Sequence, residues 1–383
     1  MVQGSSGINR DADPLTTPIY ETTTFLFENA AEVKAYNEGR TQKFLYSRYG
    51  NPTVAAVEQT IAALEGTDTA ILFSSGMAAT ATALLALLSS GDEIVCSAAI
   101  YGGTLHLLAD LFPHYGIKAR FATTDELRQP AALLTDRTKV LWFESPINPT
   151  LRCVDIRAIA SACRARGVIS IIDNTFASPV NQQPIPMGVD LVMHSVTKYL
   201  NGHSDVTAGA ICGPASLMAS IEKAKRMLGT IPDPQAAYAI GRGLKTLAVR
   251  VERHNSNAMA VARWLEGQKG KRIDEVYYPG LESHPDHALA KKQMHGFGGM
   301  ICVDVGGGQA GAEAFFDKLK VFRRAASLGG VESLCSLPVL TSQWGYTDAQ
   351  LAEAGITRSM ARLSVGLEDP QDLIDDLQRA LNP

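Results

Sequence analysis

Three short stretches place reactive side chains directly after runs of apolar residues. The run Thr69–Phe73 is followed by Ser74-Ser75-Gly76-Met77 and an Ala/Leu-rich helical pattern over 78–88. Where a strand turns into a helix, free backbone N–H groups and the positive helix end can cradle a phosphate, and glycine lets the backbone come close. An ordinary strand-to-helix turn would read the same. The second stretch is Ile171-Ile172-Asp173-Asn174-Thr175. A carboxylate ending an apolar strand is costly unless a cation or hydrogen bonds compensate it, although Asp173 is equally well placed to cap a helix. The third is His194-Ser195-Val196-Thr197-Lys198. A lysine behind a buried strand can lose its charge by desolvation and become a nucleophilic amine, and the hydroxyls beside it could bind phosphate. A lysine in an open loop is the plainer alternative. Each stretch is weak alone. In this order they form the set a pyridoxal phosphate (PLP) site requires: a lysine for the Schiff base, an aspartate for the pyridinium nitrogen and a turn for the phosphate.

Such residues need a scaffold that gathers strand ends. Short apolar runs at 93–96, 139–143, 168–172, 191–194 and 208–212 alternate with helical patterns. The alternation predicts an α/β fold with a mostly parallel central sheet covered on both faces, whose ligands collect at the C-terminal strand ends. A long helical stretch over 236–265, broken near Gly241 and Gly243, leads into a smaller C-terminal α+β domain with strands at 298–305 and 361–364. Residues 1–50 are rich in Thr, Asn, Gly and Tyr and lack continuous apolar runs, which suits an extended arm.

Composition narrows the function. The 383 residues suffice for two lobes, and 46% hydrophobic with 19% charged residues marks a folded globular chain. Lys+Arg number 35 against 39 Asp+Glu, with no basic arm, so no electrostatic footprint for nucleic acid is present. No apolar stretch approaches the roughly 20 residues that span a bilayer. Met1 to Gly7 lacks the basic and apolar regions of an export signal, so a cytoplasmic protein is expected. The six cysteines lie far apart without a Cys-x-x-Cys pair, which predicts buried reduced thiols and no metal site.

Further ordered phrases run through nearly the whole chain. They are Tyr46-Ser47-Arg48-Tyr49-Gly50-Asn51-Pro52-Thr53, Ser75-Gly76-Met77-Ala78-Ala79, Tyr101-Gly102-Gly103-Thr104, Glu144-Ser145-Pro146-Ile147-Asn148-Pro149, Asp173-Asn174-Thr175-Phe176, His194 to Lys198, Ser327-Leu328-Gly329-Gly330-Val331-Glu332-Ser333 and Arg362-Leu363-Ser364. On these the chain resembles the Cys/Met-metabolism PLP enzymes, among them cystathionine γ-synthase, the cystathionine lyases, methionine γ-lyase and the homoserine sulfhydrylases. The resemblance implies the aspartate-aminotransferase-like fold type I of PLP-dependent transferases, with an arm (1–50), a PLP-binding domain (51–248) and a C-terminal domain (249–383). It implies that Lys198 bonds the cofactor and shuttles protons, that Asp173 keeps the ring nitrogen protonated, and that Tyr101 stacks on the ring and aids proton transfer. Gly76, Met77, Ser195 and Thr197 would hold the phosphate, with Thr175 also at the cofactor. Tyr46 and Arg48 would reach the phosphate of a neighbouring subunit. Arg362 would clamp the substrate α-carboxylate, Asn148 would stand between it and the cofactor hydroxyl, and Ser327 would complete the pocket. The implied partners are a small amino-acid substrate and further copies of the chain, as a tetramer built from two dimers.

Leu151-Arg152-Cys153-Val154-Asp155-Ile156, Tyr277-Tyr278-Pro279-Gly280-Leu281, Gln293-Met294-His295-Gly296-Phe297-Gly298-Gly299 and the Ser342-Gln343-Trp344 region are closer to the plant-type cystathionine γ-synthase branch. A plant enzyme would carry a plastid segment ahead of the arm, so a bacterial-type member of that branch is expected. Leu45 stands where some γ-synthases carry Asp, His106 where Arg usually meets the distal part of the substrate, and Ala326 where many γ-specific members carry Glu. Gly103 replaces the cysteine of methionine γ-lyases. The expected reaction joins an activated homoserine to cysteine, giving cystathionine. The alternatives are γ-elimination to 2-oxobutanoate and ammonia, and homoserine sulfhydrylation.

Overall fold

The computed structural model describes residues 14–382. The Met1 to Gly7 segment and the rest of the arm's first 13 residues lie outside them. Seven strands form the larger sheet: β1 (Thr69–Phe73), β2 (Glu93–Ser97), β3 (Lys118–Ala122), β4 (Thr138–Glu144), β5 (Ile169–Asp173), β6 (Leu191–His194) and β7 (Gly209–Gly213). Their order is β1-β7-β6-β5-β4-β2-β3. Strands β3, β2, β4, β5 and β6 pair in parallel, and β7 runs antiparallel between β6 and β1. The sheet is therefore mostly parallel, as the alternating pattern predicts.

Side-chain alternation divides each strand between two cores. Ile172 and Val192 join Val57 and Ile61 of one helix, Pro52–Glu65, and Ile159 of another, Ile156–Arg166. Ile171 and Leu191 face the other way, onto Ala83 and Leu84 of the helix Gly76–Leu87 and Ile221 of the helix Ala215–Leu228. With both faces covered, the inner strands are largely apolar runs, and polar residues collect toward their ends. All six cysteines are buried with free thiols. Among the described residues no helix is long and apolar enough to cross a membrane.

Five strands form the second sheet: β8 (Ile273–Tyr277), β9 (Met300–Val305), β10 (Arg323–Arg324), β11 (Leu334–Ser336) and β12 (Met360–Ser364), in the order β10-β11-β12-β9-β8. The helix Leu247–Glu266 connects the two halves. Its Leu247 and Val251 belong to the core of the first sheet, and its Ala258, Val261 and Leu265 to the core of the second. The expected boundary at 248/249 falls in the first turn of this helix.

Some local expectations are corrected. The stretch over 236–265 breaks at Lys245-Thr246, between the helices Pro234–Leu244 and Leu247–Glu266, and not at its glycines. Gly243 serves close packing instead, since a Cβ there would lie 2.3 Å from the Asn201 carbonyl oxygen. The chain after Tyr101 forms a short regular helix, Gly102–His106, that widens into a π turn, Leu107–Leu111. The arm is not wholly extended: Asn29 caps a helix, Ala30–Asn37, that buries none of its residues.

Arg250 fastens the connecting helix to the segment that follows Lys198. It is 4% exposed. Its Nη1 donates to the Tyr199 carbonyl at 2.7 Å, and its Nη2 donates to the carbonyls of Gly243 at 2.8 Å and Leu200 at 3.4 Å. Burial lowers its pKa to about 10, so it still carries its charge at neutral pH. Gly202, at φ +75°, passes so close that a Cβ would collide with the guanidinium. Arg250→Met should leave these carbonyls buried without donors and destabilise the protein by about 3 kcal/mol. Thermal unfolding of the variant measures this, and an unchanged midpoint would contradict it.

Candidate active site

The C-terminal ends of the parallel strands open into a cavity of about 590 Å³, closed on the far side by residues of the second sheet and its loops. Lys198, Asp173, Tyr101, Gly76, Met77, Ser195, Thr197, Thr175, Arg362, Asn148 and Ser327 all line it. Residues scattered over nearly 290 positions thus converge because each follows a strand end, or, for Arg362, sits within β12.

Lys198 lies in a turn after β6, where its N–H donates to the Ser195 carbonyl at 3.1 Å. Its Nζ donates to Ser327 Oγ at 3.0 Å. Burial first, and the charge of Arg362 second, hold the ammonium below its ordinary pKa range. Asp173 ends β5 and caps no helix. One carboxylate oxygen accepts the Thr175 N–H at 3.0 Å, and burial raises its pKa despite that bond and the influence of His194. Thr175 Oγ1 in turn accepts the Ser195 N–H at 2.8 Å, so the turns after β5 and β6 are tied together.

At the end of β1, Ser75 caps the helix Gly76–Leu87 by accepting the Ala78 N–H at 3.0 Å. Gly76 and Met77 occupy its first turn, where backbone N–H groups have no intrahelical acceptor. Gly209, paired with Phe73 in the neighbouring strand, leaves room for this turn: a Cβ at 209 would lie 2.4 Å from the Ser75 carbonyl oxygen and 2.7 Å from Gly76 Cα. Thr197 Oγ1 donates to the Ala208 carbonyl at 3.1 Å and accepts the Ala208 N–H at 2.9 Å, which fixes the hydroxyl. From β12, Arg362 Nη1 donates to Asn148 Oδ1 at 3.0 Å and Nη2 to the Ser327 carbonyl at 3.3 Å. The guanidinium is 8% exposed, and burial lowers its pKa.

Three predicted residues lie elsewhere. His106 does not line the cavity; it ends the helix Gly102–His106 facing solvent, with Nδ1 2.9 Å from Asp110 Oδ2. Thr104 of the same helix lines the cavity in its stead. Tyr46 and Arg48 also stand outside. Arg48 stacks over the Tyr49 ring at 4.7 Å and the Tyr46 ring at 5.7 Å, and donates to the Arg226 carbonyl at 2.7 Å. Glu144 is a lining residue that the motif reading left without a role, although it ends an apolar strand as Asp173 does. Thr341 and Ser342 also line the cavity; the Ser342-Gln343-Trp344 phrase carries a branch resemblance but no site role.

The cavity suits PLP on chemical grounds. A half-buried carboxylate that no lysine or arginine of the described residues neutralises would suit a cationic ring nitrogen, a partly desolvated amine lines the same cavity, and a glycine-lined helix start offers N–H groups to a phosphate. The sequence model of the Cys/Met metabolism PLP-dependent enzyme family matches residues 1–382. The chain belongs to this family. A tobacco chloroplastic cystathionine γ-synthase 1 is 41% identical over 97% of this chain and 68% of its own length. A mouse cystathionine γ-lyase is 44% identical over 90% of this chain and 86% of its own. The crystal structure of metB from Corynebacterium glutamicum superposes with a TM-score of 0.92 at 39% identity, covering 99% of this chain and 96% of that one. The protein is therefore a PLP-dependent enzyme of sulfur amino-acid metabolism with the fold of that family.

Gly209→Ala should push the Ser75-Gly76 turn out of place while leaving both cores intact. PLP binding is expected to weaken by at least about tenfold, the equivalent of one hydrogen bond of 1–2 kcal/mol. Fluorescence titration of the apoenzyme measures it, and parental affinity would refute the role of the turn.

Proposed function

We propose that the enzyme catalyses replacement at Cγ of an activated homoserine, with cysteine as acceptor and cystathionine as product. The observation that carries γ-chemistry is the grouping of Lys198, Asp173 and Arg362 on one cavity in a member of this family. The preference for replacement rests on the γ-synthase phrases, such as Leu151 to Ile156, and on the near full-length similarity to the tobacco enzyme.

Bound PLP supplies an electron sink for the pair released when a bond at the substrate carbon breaks. The protein's part is positional and protonic. Arg362, held by Asn148 and the Ser327 carbonyl, presents a planar fork to the substrate α-carboxylate. That fixes Cα within reach of Lys198 Nζ. Because burial lowers the lysine pKa, its neutral amine is present at lower pH than on a surface lysine, and it can take the Cα proton and return it further along the chain. Asp173 would keep a proton on the ring nitrogen, and Tyr101, half exposed, would cover the ring face. Gly76, Met77, Ser195 and Thr197 would hold the phosphate end.

Elimination to 2-oxobutanoate and ammonia is the second reading, favoured by Ala326 in the lining, by His106 lying outside it and by the similarity to the mouse lyase. Mass-spectrometric product analysis with O-phospho-, O-succinyl- and O-acetylhomoserine, each with and without cysteine, separates the two. Cystathionine formed only with cysteine is the expected result. Keto acid formed regardless of cysteine would make the enzyme a lyase, and amino transfer to an added keto acid would sink γ-chemistry altogether.

Tyr46 and Arg48 face away from their own cavity, so a cofactor role for them requires a second subunit. The working form proposed is a cytoplasmic tetramer of two such dimers. Arg48→Ala should lose PLP about tenfold more readily, as for one charge-assisted hydrogen bond, without unfolding the subunit. Cofactor retention on dialysis equal to the parent's would show that the arm does not share in the site.

A further inference from the structure

Glu144 is the last residue of β4, aligned in register with Asp173 at the end of the adjacent parallel strand. Residues in register on neighbouring strands are about 4.8 Å apart. Both side chains line the cavity, and Glu144 is 4% exposed. Among the described residues no lysine or arginine pairs with either carboxyl group. A buried and a half-buried carboxyl group at this spacing, with no cation between them, do not both ionise. Glu144 also has a mechanical task. Its Oε1 accepts the Tyr101 N–H at 2.8 Å. Tyr101 heads the helix Gly102–His106, whose start has no side-chain cap of its own. A carboxyl group at the end of β4 therefore pins the turn after β2 that carries the ring-covering tyrosine.

We propose that Glu144 is a positioning residue of this active site, anchoring the Tyr101 turn as a protonated carboxyl group and leaving Asp173 as the single anion at the cofactor ring. The inference rests on the ring-facing roles of Asp173 and Tyr101 proposed above, but on neither the leaving group nor the acceptor. Burial first, and the Asp173 charge second, push Glu144 up to about 8, in keeping with this assignment. The titratable groups around it are Asp173 on β5, Cys96 on β2, Tyr101 at its turn and, across the cavity, Lys198 and Arg362.

The sign of the pH effect follows. A carboxyl group whose pKa rises from the ordinary 4.5 to about 8 on folding contributes stability that is complete below 4.5 and is lost as pH rises to 8. The apoenzyme's unfolding midpoint should therefore fall between pH 6 and 8. In Glu144→Gln, which keeps an acceptor oxygen and cannot ionise, that fall should shrink. Glu144→Ala should speed amide hydrogen exchange at Tyr101 and Thr104 and weaken PLP binding, each about tenfold, as for one lost hydrogen bond. Glu144→Gln should restore PLP affinity to within about threefold, a few tenths of a hydrogen bond's worth. Parallel midpoint-against-pH curves for the parent and Glu144→Gln would overturn the protonated state, and unchanged exchange in Glu144→Ala would overturn the anchor. Should neither variant fold, infrared spectra of the parent decide: a protonated-carboxyl band present at pH 6 and gone by pH 9 supports the assignment, and its absence at pH 6 refutes it. None of these readouts depends on turnover, so failure here is separable from failure of the proposed reaction.

Discussion

The burial of charge at strand ends is the constraint on which the rest of the structure depends. A sheet covered on both faces carries polar groups most cheaply where its strands stop, and here β2, β4, β5 and β6, together with β1, stop on one cavity. Asp173, Glu144, Lys198 and Arg362 meet there, each with a pKa displaced first by desolvation. A group denied water is expensive to hold charged and gains most from a partner that supplies the missing interaction. The apoenzyme thus carries an electrostatic deficit shaped like its cofactor and the substrate carboxylate. Binding both offsets part of that deficit.

Such a site needs strand ends that do not give way. On the opposite face of the sheet a buried polar network holds them. His194 Nε2 lies 2.5 Å from Glu65 Oε1, and Asn174 Nδ2 donates to the same oxygen at 3.2 Å. Gln182 Nε2 donates to Asn174 Oδ1 at 2.9 Å and to the Ser145 carbonyl at 2.7 Å. These bonds link the ends of β6, β5 and β4 to one another and to the helix Pro52–Glu65. Inside the cavity, Thr175 joins the turns after β5 and β6, and Glu144 joins those after β2 and β4. Cradle, base and anion are therefore braced from both faces, which is what catalytic geometry requires.

Asp173 and Lys198 stand out in the sequence because a charge at the end of a mostly apolar strand, or in the turn just after one, conflicts with local economy. Glu144 carries the same signal after Val140-Leu141-Trp142-Phe143, but its neighbours Ser145 to Pro149 read as a motif and drew attention from it. His106 went astray for a different reason. The phrase around it locates a helix but not the face each residue takes, and the π turn after it directs the imidazole to Asp110 in solvent. Elements that escaped notice lack an apolar period. The helix Ala30–Asn37 buries nothing, β10 has two exposed residues, and β3 is an edge strand only partly covered. The break at Lys245-Thr246 is set by tertiary packing of Gly243 against Asn201, which no local pattern encodes.

What separates replacement from elimination must lie outside this shared machinery. A relative named as a synthase and one named as a lyase are about equally similar to the chain, and both reactions need the same fork, amine and anion. The two outcomes diverge only in what reaches Cγ after the leaving group departs. That is a question of access, and the exposed or half-buried lining residues Tyr101, Ala326, Thr341 and Ser342 stand where it would be controlled. The mouth is tightly built on one side: a Cβ at Gly102 would lie 2.8 Å from the Ser342 carbonyl oxygen, so this loop rests directly on the turn that presents Tyr101. Because Glu144 anchors that turn from below, a shift in the loop cannot be absorbed by the tyrosine and instead changes the opening itself. Specificity can therefore vary through the loop while the chemistry beneath it stays fixed.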